Sequence, residues 1–222
     1  SVAGAQAKFI EPPALEAEVK AGKLPPVAKR LPENPLVVNL APGAQPGQYG
    51  GSLNMLIGRS RDIRMLVVYG YARLVGYDQN FSIVPDILES IDVKDERVFT
   101  MKLRRGYRWS DGQPFGIEDF RYFWEDVANN KELSPTGPPS DLLLDGEAPK
   151  VEFPDKQTVR YSWSKPNPYF LPRMAGASPL FIFRPAHYLR QFHSKYNKKV
   201  AEAEASGKSR RNWAAVHNRE DN

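Results

Sequence analysis

The chain has 222 residues, 41% hydrophobic and 26% charged, a globular composition with enough apolar material for one sizeable core or two small ones. It contains no cysteine, which excludes disulfide frameworks, thiolate metal sites and cysteine nucleophiles together and leaves the redox compartment open. Nine of the 31 Lys and Arg but only four of the 26 Asp and Glu fall in residues 184–222, so the net charge of +5 belongs to the C-terminal tail.

Residues 1–50 are rich in Ala, Pro and Gly, with Pro12, Pro13, Pro25, Pro26, Pro32, Pro35, Pro42 and Pro46 interrupting any long helix or interior strand. Most of this stretch is expected to lie extended on a surface. A short helix from about Pro13 to Ala21 is predicted, because Leu15 and Val19 sit four apart and Gly22 can end it. The segment from Ser1 lacks a charged start followed by an apolar stretch, so a signal peptide is expected to be absent or already removed. Nor does any run approach the roughly 18 apolar residues that cross a bilayer.

After Gly50 and Gly51, the alternation of Leu53, Met55 and Ile57 predicts a short strand with one buried face. The apolar stretch from Met65 to Val75 fits a helix or a strand followed by a turn, and its periodicity does not choose. Glu89 to Val93, a turn at Asp95 and Glu96, and Val98 to Arg104 read as a hairpin with Phe99, Met101 and Leu103 on one face. Asp111 and Gly112 make a tight turn. A helix then starts near Gly116, with Glu118 and Asp119 at the positive end of its dipole and Ile117, Phe120, Phe123, Trp124 and Val127 as its inner face.

The Pro- and Gly-rich stretch 129–139 ends that helix. Lys150 to Phe153 and Thr158 to Trp163 flank the turn Pro154, Asp155, Lys156 and predict a second hairpin, with Val159, Tyr161 and Trp163 alternating. Leu180 to Phe183 is expected to be one more strand, and Pro185 to Phe192 a helix with Pro185 at an early position. From Lys195 to Asn222 the composition suggests a solvated helix followed by a polar linker.

The stretch Phe99 to Trp124, FTMKLRRGYRWSDGQPFGIEDFRYFW, resembles the signature of the family 5 solute-binding proteins. The matching positions are Leu103, Arg104, Gly106, Trp109, Asp111, Gly112, Pro114, Glu118 and Asp119. Tyr71 to Ile91, YARLVGYDQNFSIVPDILESI, is similar to the segment that precedes the signature, and Val151 to Phe170 to the hairpin that follows it, ending in Lys165, Pro166, Pro168, Tyr169 and Phe170. Leu24, Pro25, Pro26 and Leu31 to Pro35 are similar to the leader of one branch. Gly116 departs from the usual Thr or Ser, at a cost of only a few tenths of a kcal/mol in helix capping.

The resemblance implies a mixed α/β fold of the type II periplasmic-binding-protein class with an extra inserted domain, and a chain lacking the second lobe. It divides the sequence into an extended segment 1–50, parts of a first lobe at 51–70 and 177–222, and an inserted domain at 71–176. It implies a non-enzymatic receptor outside the cytoplasm or in the periplasm, monomeric and without cofactor. Such a receptor hands a peptide, oligosaccharide or similar solute to the membrane permease of an ABC importer.

Ligands of open α/β sheets sit beyond the C-terminal ends of strands, so Gly58, Arg59, Ser60 and Asp62 are the candidate solute contacts, followed by Tyr69 and Tyr71. Trp109 and the Asp111-Gly112 turn read as structural, as does His187, which no metal-ligand spacing accompanies. Glu118 and Asp119 point about 100° apart on a helix and are helix-start charges rather than a catalytic pair. The competing functions are a nucleic-acid module using the basic tail, or a hydrolase or a structural or interaction domain, neither of which any residue favours; the tail has no aromatic interleaving, and no nucleic acid is expected as a partner.

Overall fold

In the computed structural model, which describes residues 9–66, 71–176, 179–208 and 212–221, the chain opens with a mostly exposed arm. A 3-10 turn at Pro13–Leu15 runs into helix α1 (Glu16–Lys20), and α2 (Val27–Arg30) follows, so the expected helix near 13–21 forms. Glu11, ahead of both, holds α2: it pairs with Arg30 and accepts the amide of Val27 at 3.0 Å, satisfying a free donor at the start of α2.

The strand expected at Leu53 to Ile57 does not form. Leu53, Met55, Leu56 and Ile57 are all exposed on extended backbone. Alternation marks a potential strand, but a strand exists only where a second backbone accepts its hydrogen bonds, and no described segment pairs with this one. Ser60–Leu66 is a 3-10 helix. The ambiguous stretch up to Val75 therefore begins as helix and ends as strand, with 67–70 outside the described residues.

Val75–Tyr77 (β1) and Ile83–Pro85 (β2) form a two-stranded ribbon closed by Asp78, whose carboxylate accepts the amides of Asn80 and Ser82, each at 2.8 Å. Leu88–Lys94 (β3) and Val98–Leu103 (β4) make the predicted first hairpin, turning at Asp95 and Glu96, both at φ 52°. After β4 comes helix α3 (Ile117–Arg121), which continues as a π-helical segment over Tyr122–Ala128. Lys150–Glu152 (β5) and Thr158–Ser162 (β6) form the second hairpin, and the sheet runs β3-β4-β6-β5, antiparallel throughout. In register, Phe99 faces Tyr161 and Met101 faces Val159. Helix α4 (Phe170–Ala175) closes over them, and Phe170 meets Phe99 at 5.1 Å and Trp163 at 4.9 Å between ring centres, both edge-on.

Leu180 to Phe183, expected as a strand, is irregular backbone that passes beneath α3, with Ile182 fully buried and Phe183 edge-on to Phe115 at 5.1 Å. Helix α5 (Ala186–Leu189) then starts after Pro185 and tightens into a 3-10 turn at Arg190–Phe192, as predicted. The basic tail departs from expectation. Helix α6 (Lys198–Ala205) is followed not by a polar linker but by α7 (Trp213–Glu220), which docks onto the core through buried Trp213, Ala214 and His217.

The π-helical segment explains both this docking and the one gap in the predicted inner face of α3. Ile117, Phe120, Phe123 and Val127 are buried as expected and Trp124 half-buried, but Tyr122 is fully buried too. A π turn adds a residue per turn and rotates the downstream side chains out of the 3.6-residue register. Tyr122 and Asp126 thereby reach the tail: Tyr122 Oη lies 2.6 Å from His217 Nε2, and Asp126 binds Lys195 Nζ at 2.6 Å and the hydroxyl of Tyr196.

Gly106, one of the signature residues, is where the arm meets the sheet. It sits at φ +89°, and a Cβ there would stand 3.0 Å from the backbone nitrogen of Glu33 and 3.3 Å from Cα of Pro32. The Glu33 amide donates to Arg105 O at 3.0 Å, and Arg104 Nη1 to Asn34 O at 3.3 Å. Gly106→Ala is therefore expected to cost about 1 to 2 kcal/mol and to free the arm. Limited proteolysis reads this as faster cleavage between residues 9 and 35, with the sheet still protected.

Candidate ligand-binding site

The signature residues form a clamp built around one buried carboxylate. Asp119 Oδ2 accepts the Gly116 amide at 2.9 Å and the Trp109 indole N–H at 3.1 Å; Oδ1 accepts the Ala186 amide at 3.0 Å. Its backbone carbonyl takes the Arg184 amide at 3.1 Å. Asp119 thus supplies the half of a capping box that holds the N-cap amide, and it joins the start of α3, the turn after β4 and the start of α5. Burial pushes its carboxyl above the usual range, outweighing the three donors that pull it down.

The turn that carries Asp111 and Gly112 serves the same clamp, while Leu103, Arg104 and Gly106 hold the sheet and the arm. Gly112, at φ +84°, closes the turn by donating to Trp109 O at 2.9 Å, and Asp111 accepts the Gln113 amide at 3.0 Å. Asp111 Oδ2 also lies 2.6 Å from His187 Nε2; the Gln113 amide first and His187 second hold this carboxyl below its usual range. Leu103 is buried, while Arg104 Nε donates to Asp86 O at 2.8 Å. Trp109, the Asp111-Gly112 turn and His187 are thus bound to one another and to Asp119. A cleft of about 600 Å³ lies beside the clamp, lined by Ile117, Glu118, Phe153, Lys156, His187 and Arg190 among others.

The sequence-chosen contacts lie elsewhere. Gly58, Arg59 and Ser60, all exposed, and the half-buried Asp62 form a turn in which the Arg59 amide donates to Asp62 Oδ2 and the Asp62 amide returns to Arg59 O, both at 2.9 Å. Tyr71 is 74% exposed, and Tyr69 lies outside the described residues. Among the described residues no hydrogen bond or ring contact joins Gly58, Arg59, Ser60 or Asp62 to Tyr71. A second exposed aromatic, Tyr169, stands at the start of α4 with the Arg173 guanidinium 5.6 Å above its ring, and Arg173 Nη1 reaches Asp141 O.

The sequence reading missed Arg73. Its Nη1 donates to Ala175 O at 2.7 Å and Gly176 O at 3.2 Å, so it joins the approach to β1 to the exit of α4. An Arg two residues from a candidate tyrosine was the available signal, but its partners are backbone carbonyls about a hundred positions away, which no side-chain pattern encodes. Among the described residues no group of three or more His, Asp or Glu is placed to hold a metal ion, and no helix is long and apolar enough to cross a membrane.

Residues 82–212 match the family model for bacterial extracellular solute-binding proteins, family 5 middle region. The chain is similar to a periplasmic alpha-galactoside-binding protein of Rhizobium meliloti (strain 1021), 30% identical over 210 residues that cover 80% of this chain and 28% of that one. It also resembles the periplasmic oligopeptide-binding protein OppA of Escherichia coli (strain K12), 34% identical over 98 residues, covering 39% of this chain and 18% of OppA. Among solved structures, an oligopeptide-binding protein OppA superposes with a TM-score of 0.71 at 32% identity, over 96% of this chain and 33% of that one. The binding protein MelB of Agrobacterium fabrum C58, solved with stachyose, gives 0.59 at 26% identity over 89% and 32%. The chain thus spans about a third or less of the length of these relatives.

Proposed function

The chain belongs to the family 5 bacterial extracellular solute-binding proteins, and on that premise we propose that it is part of a receptor that binds a peptide, an oligosaccharide or a similar solute without chemistry and delivers it to the permease of an ABC importer. The observation that carries this reading is the shared fold, which extends over 96% of the chain at 32% identity to an oligopeptide-binding protein. Relatives named for alpha-galactosides and for oligopeptides both support a polar, oligomeric solute. Their periplasmic names support an extracytoplasmic location.

In this reading Gly58, Arg59, Ser60, Asp62, Tyr69 and Tyr71 face the solute, and the signature clamp is scaffold. The sequence-based division also stands as part of the proposal: an inserted domain at 71–176 between segments 51–70 and 177–222 of a first lobe. Closure of the two lobes around the solute presents both lobe surfaces to the permease.

A thermal-shift comparison of the full-length protein with stachyose, raffinose and a set of tripeptides tests the proposal. A solute that binds only the folded state at about a hundred times its Kd adds about 2.7 kcal/mol, a rise of several degrees in Tm. A rise with one class names the solute; an unchanged Tm with all of them rejects both peptides and galactosides as cargo.

A further inference from the structure

Two stretches of chain meet at Arg73: the approach to β1, which begins at Tyr71, and the exit of α4 at Ala175 and Gly176. One guanidinium nitrogen donates to both exit carbonyls, at 2.7 and 3.2 Å. A cation at this place also suits the negative end of the short helix. The backbone of Arg73 is held just as closely, its amide donating to Asp86 Oδ2 at 3.1 Å and its carbonyl accepting the Ile87 amide at 2.9 Å. Asp86 O in turn accepts Arg104 Nε at 2.8 Å, so the arrangement continues into the signature. Leu74 and Val75, the next two residues, are buried in the core and anchor one side; Met174 and Ala175, also buried, anchor the other.

We propose that Arg73 is a positioning residue: it clasps the chain entering β1 to the chain leaving α4, and so fixes where Tyr71 stands relative to the rest of the solute-binding surface. The proposal rests on the receptor reading for its functional consequence, but the clasp itself does not. The chemistry explains the choice of residue. Two carbonyls at a helix end need a donor that carries positive charge and reaches across from another segment, which a long cationic side chain supplies and an apolar one of similar length does not.

The test uses Arg73→Met and Arg73→Lys in the full-length protein, with hydrogen exchange on the solute-free protein and titration with stachyose and with trilysine. In Arg73→Met, amides in 71–76 and in 173–176 are expected to exchange at least tenfold faster together, while those of Val98–Leu103 keep their parent rates and Arg73→Lys stays near parent. Affinity for whichever probe the parent binds falls at least tenfold in Arg73→Met and is largely kept in Arg73→Lys. Unchanged exchange, faster exchange in only one of the two segments, or equal acceleration throughout the sheet overturns the clasp. Faster exchange in both segments with unchanged affinity overturns the positioning role. A parent protein that binds neither probe counts against the proposed cargo, while the exchange measurement still decides the clasp.

Discussion

Asp119→Ala is expected to lower the unfolding free energy by about 4 kcal/mol, the largest effect of any single polar substitution in the signature. The carboxylate collects three N–H donors, from Gly116, Trp109 and Ala186, and is almost completely buried. Truncation leaves all three donors without a partner, at roughly 1 to 3 kcal/mol each, and relief from holding a carboxylate away from water offsets part of that sum. Asp119→Asn separates the contributions. Its carbonyl oxygen can keep the Gly116 and Trp109 donors, but its amide group meets the Ala186 N–H donor to donor, so a loss of about half is expected. Urea denaturation followed by tryptophan fluorescence measures both variants. Equal stability of Asp119→Ala and parent would mean that water satisfies these donors and that the clamp holds through aromatic packing alone.

That one residue also shows how far the sequence carries. The spacing of Asp119 within the signature pointed to the right family, and the alternation in Phe99 to Leu103 and Val159 to Trp163 gave the sheet its two hairpins and its buried face. These signals are local, set by side-chain periods of two and by turn chemistry. The helix-start role assigned to Asp119 was right but incomplete, because Ala186 lies 67 positions away.

The errors have the same origin. Leu53 to Ile57 and Leu180 to Phe183 have strand-like composition, yet pairing is decided by a distant backbone, and neither has a strand partner among the described residues. The tail looked solvated because Trp213 and His217 are isolated in a charged stretch, and their burial depends on the π-helical register that brings Tyr122 round to meet them. The candidate contacts Gly58, Arg59, Ser60, Asp62 and Tyr71 were chosen for their place after an expected strand. With that strand unformed, they rest on the family relationship and, for all but the half-buried Asp62, on their exposure.

The docking of α7 is expected to be weakened by acid, and the sign is set by His217. It is fully buried, edge-on to His193 at 5.6 Å and near Tyr122 and Trp213, with Nε2 bound to the Tyr122 hydroxyl. Burial lowers its pKa from 6.5 to about 4; nearby Asp221 opposes this, while His193 and Arg184 reinforce it. The charged groups around the cluster are engaged, among them Asp126 with Lys195, Arg184 with Asp221, Arg190 with Glu118, and Glu132 with the Trp213 indole N–H.

Between pH 6.5 and 4 the unfolded chain takes up a proton at this histidine that the folded chain refuses, so stability falls as the pH is lowered through that window and His217 contributes no slope above it. Allowing for solvent screening at the edge of the cluster, the loss is about 2 kcal/mol. Other carboxylates titrate in the same range, so the informative quantity is the difference from His217→Gln, which keeps a neutral group able to bond Tyr122 and has nothing to protonate. Once the packing cost of the substitution is subtracted, parent and variant should coincide near neutrality and separate by about 2 kcal/mol in acid, with the parent the less stable. Parallel curves across the window would show that the buried imidazole is protonated in the folded state as readily as in the unfolded one, and that α7 is held by Trp213 and the Arg184–Asp221 pair instead.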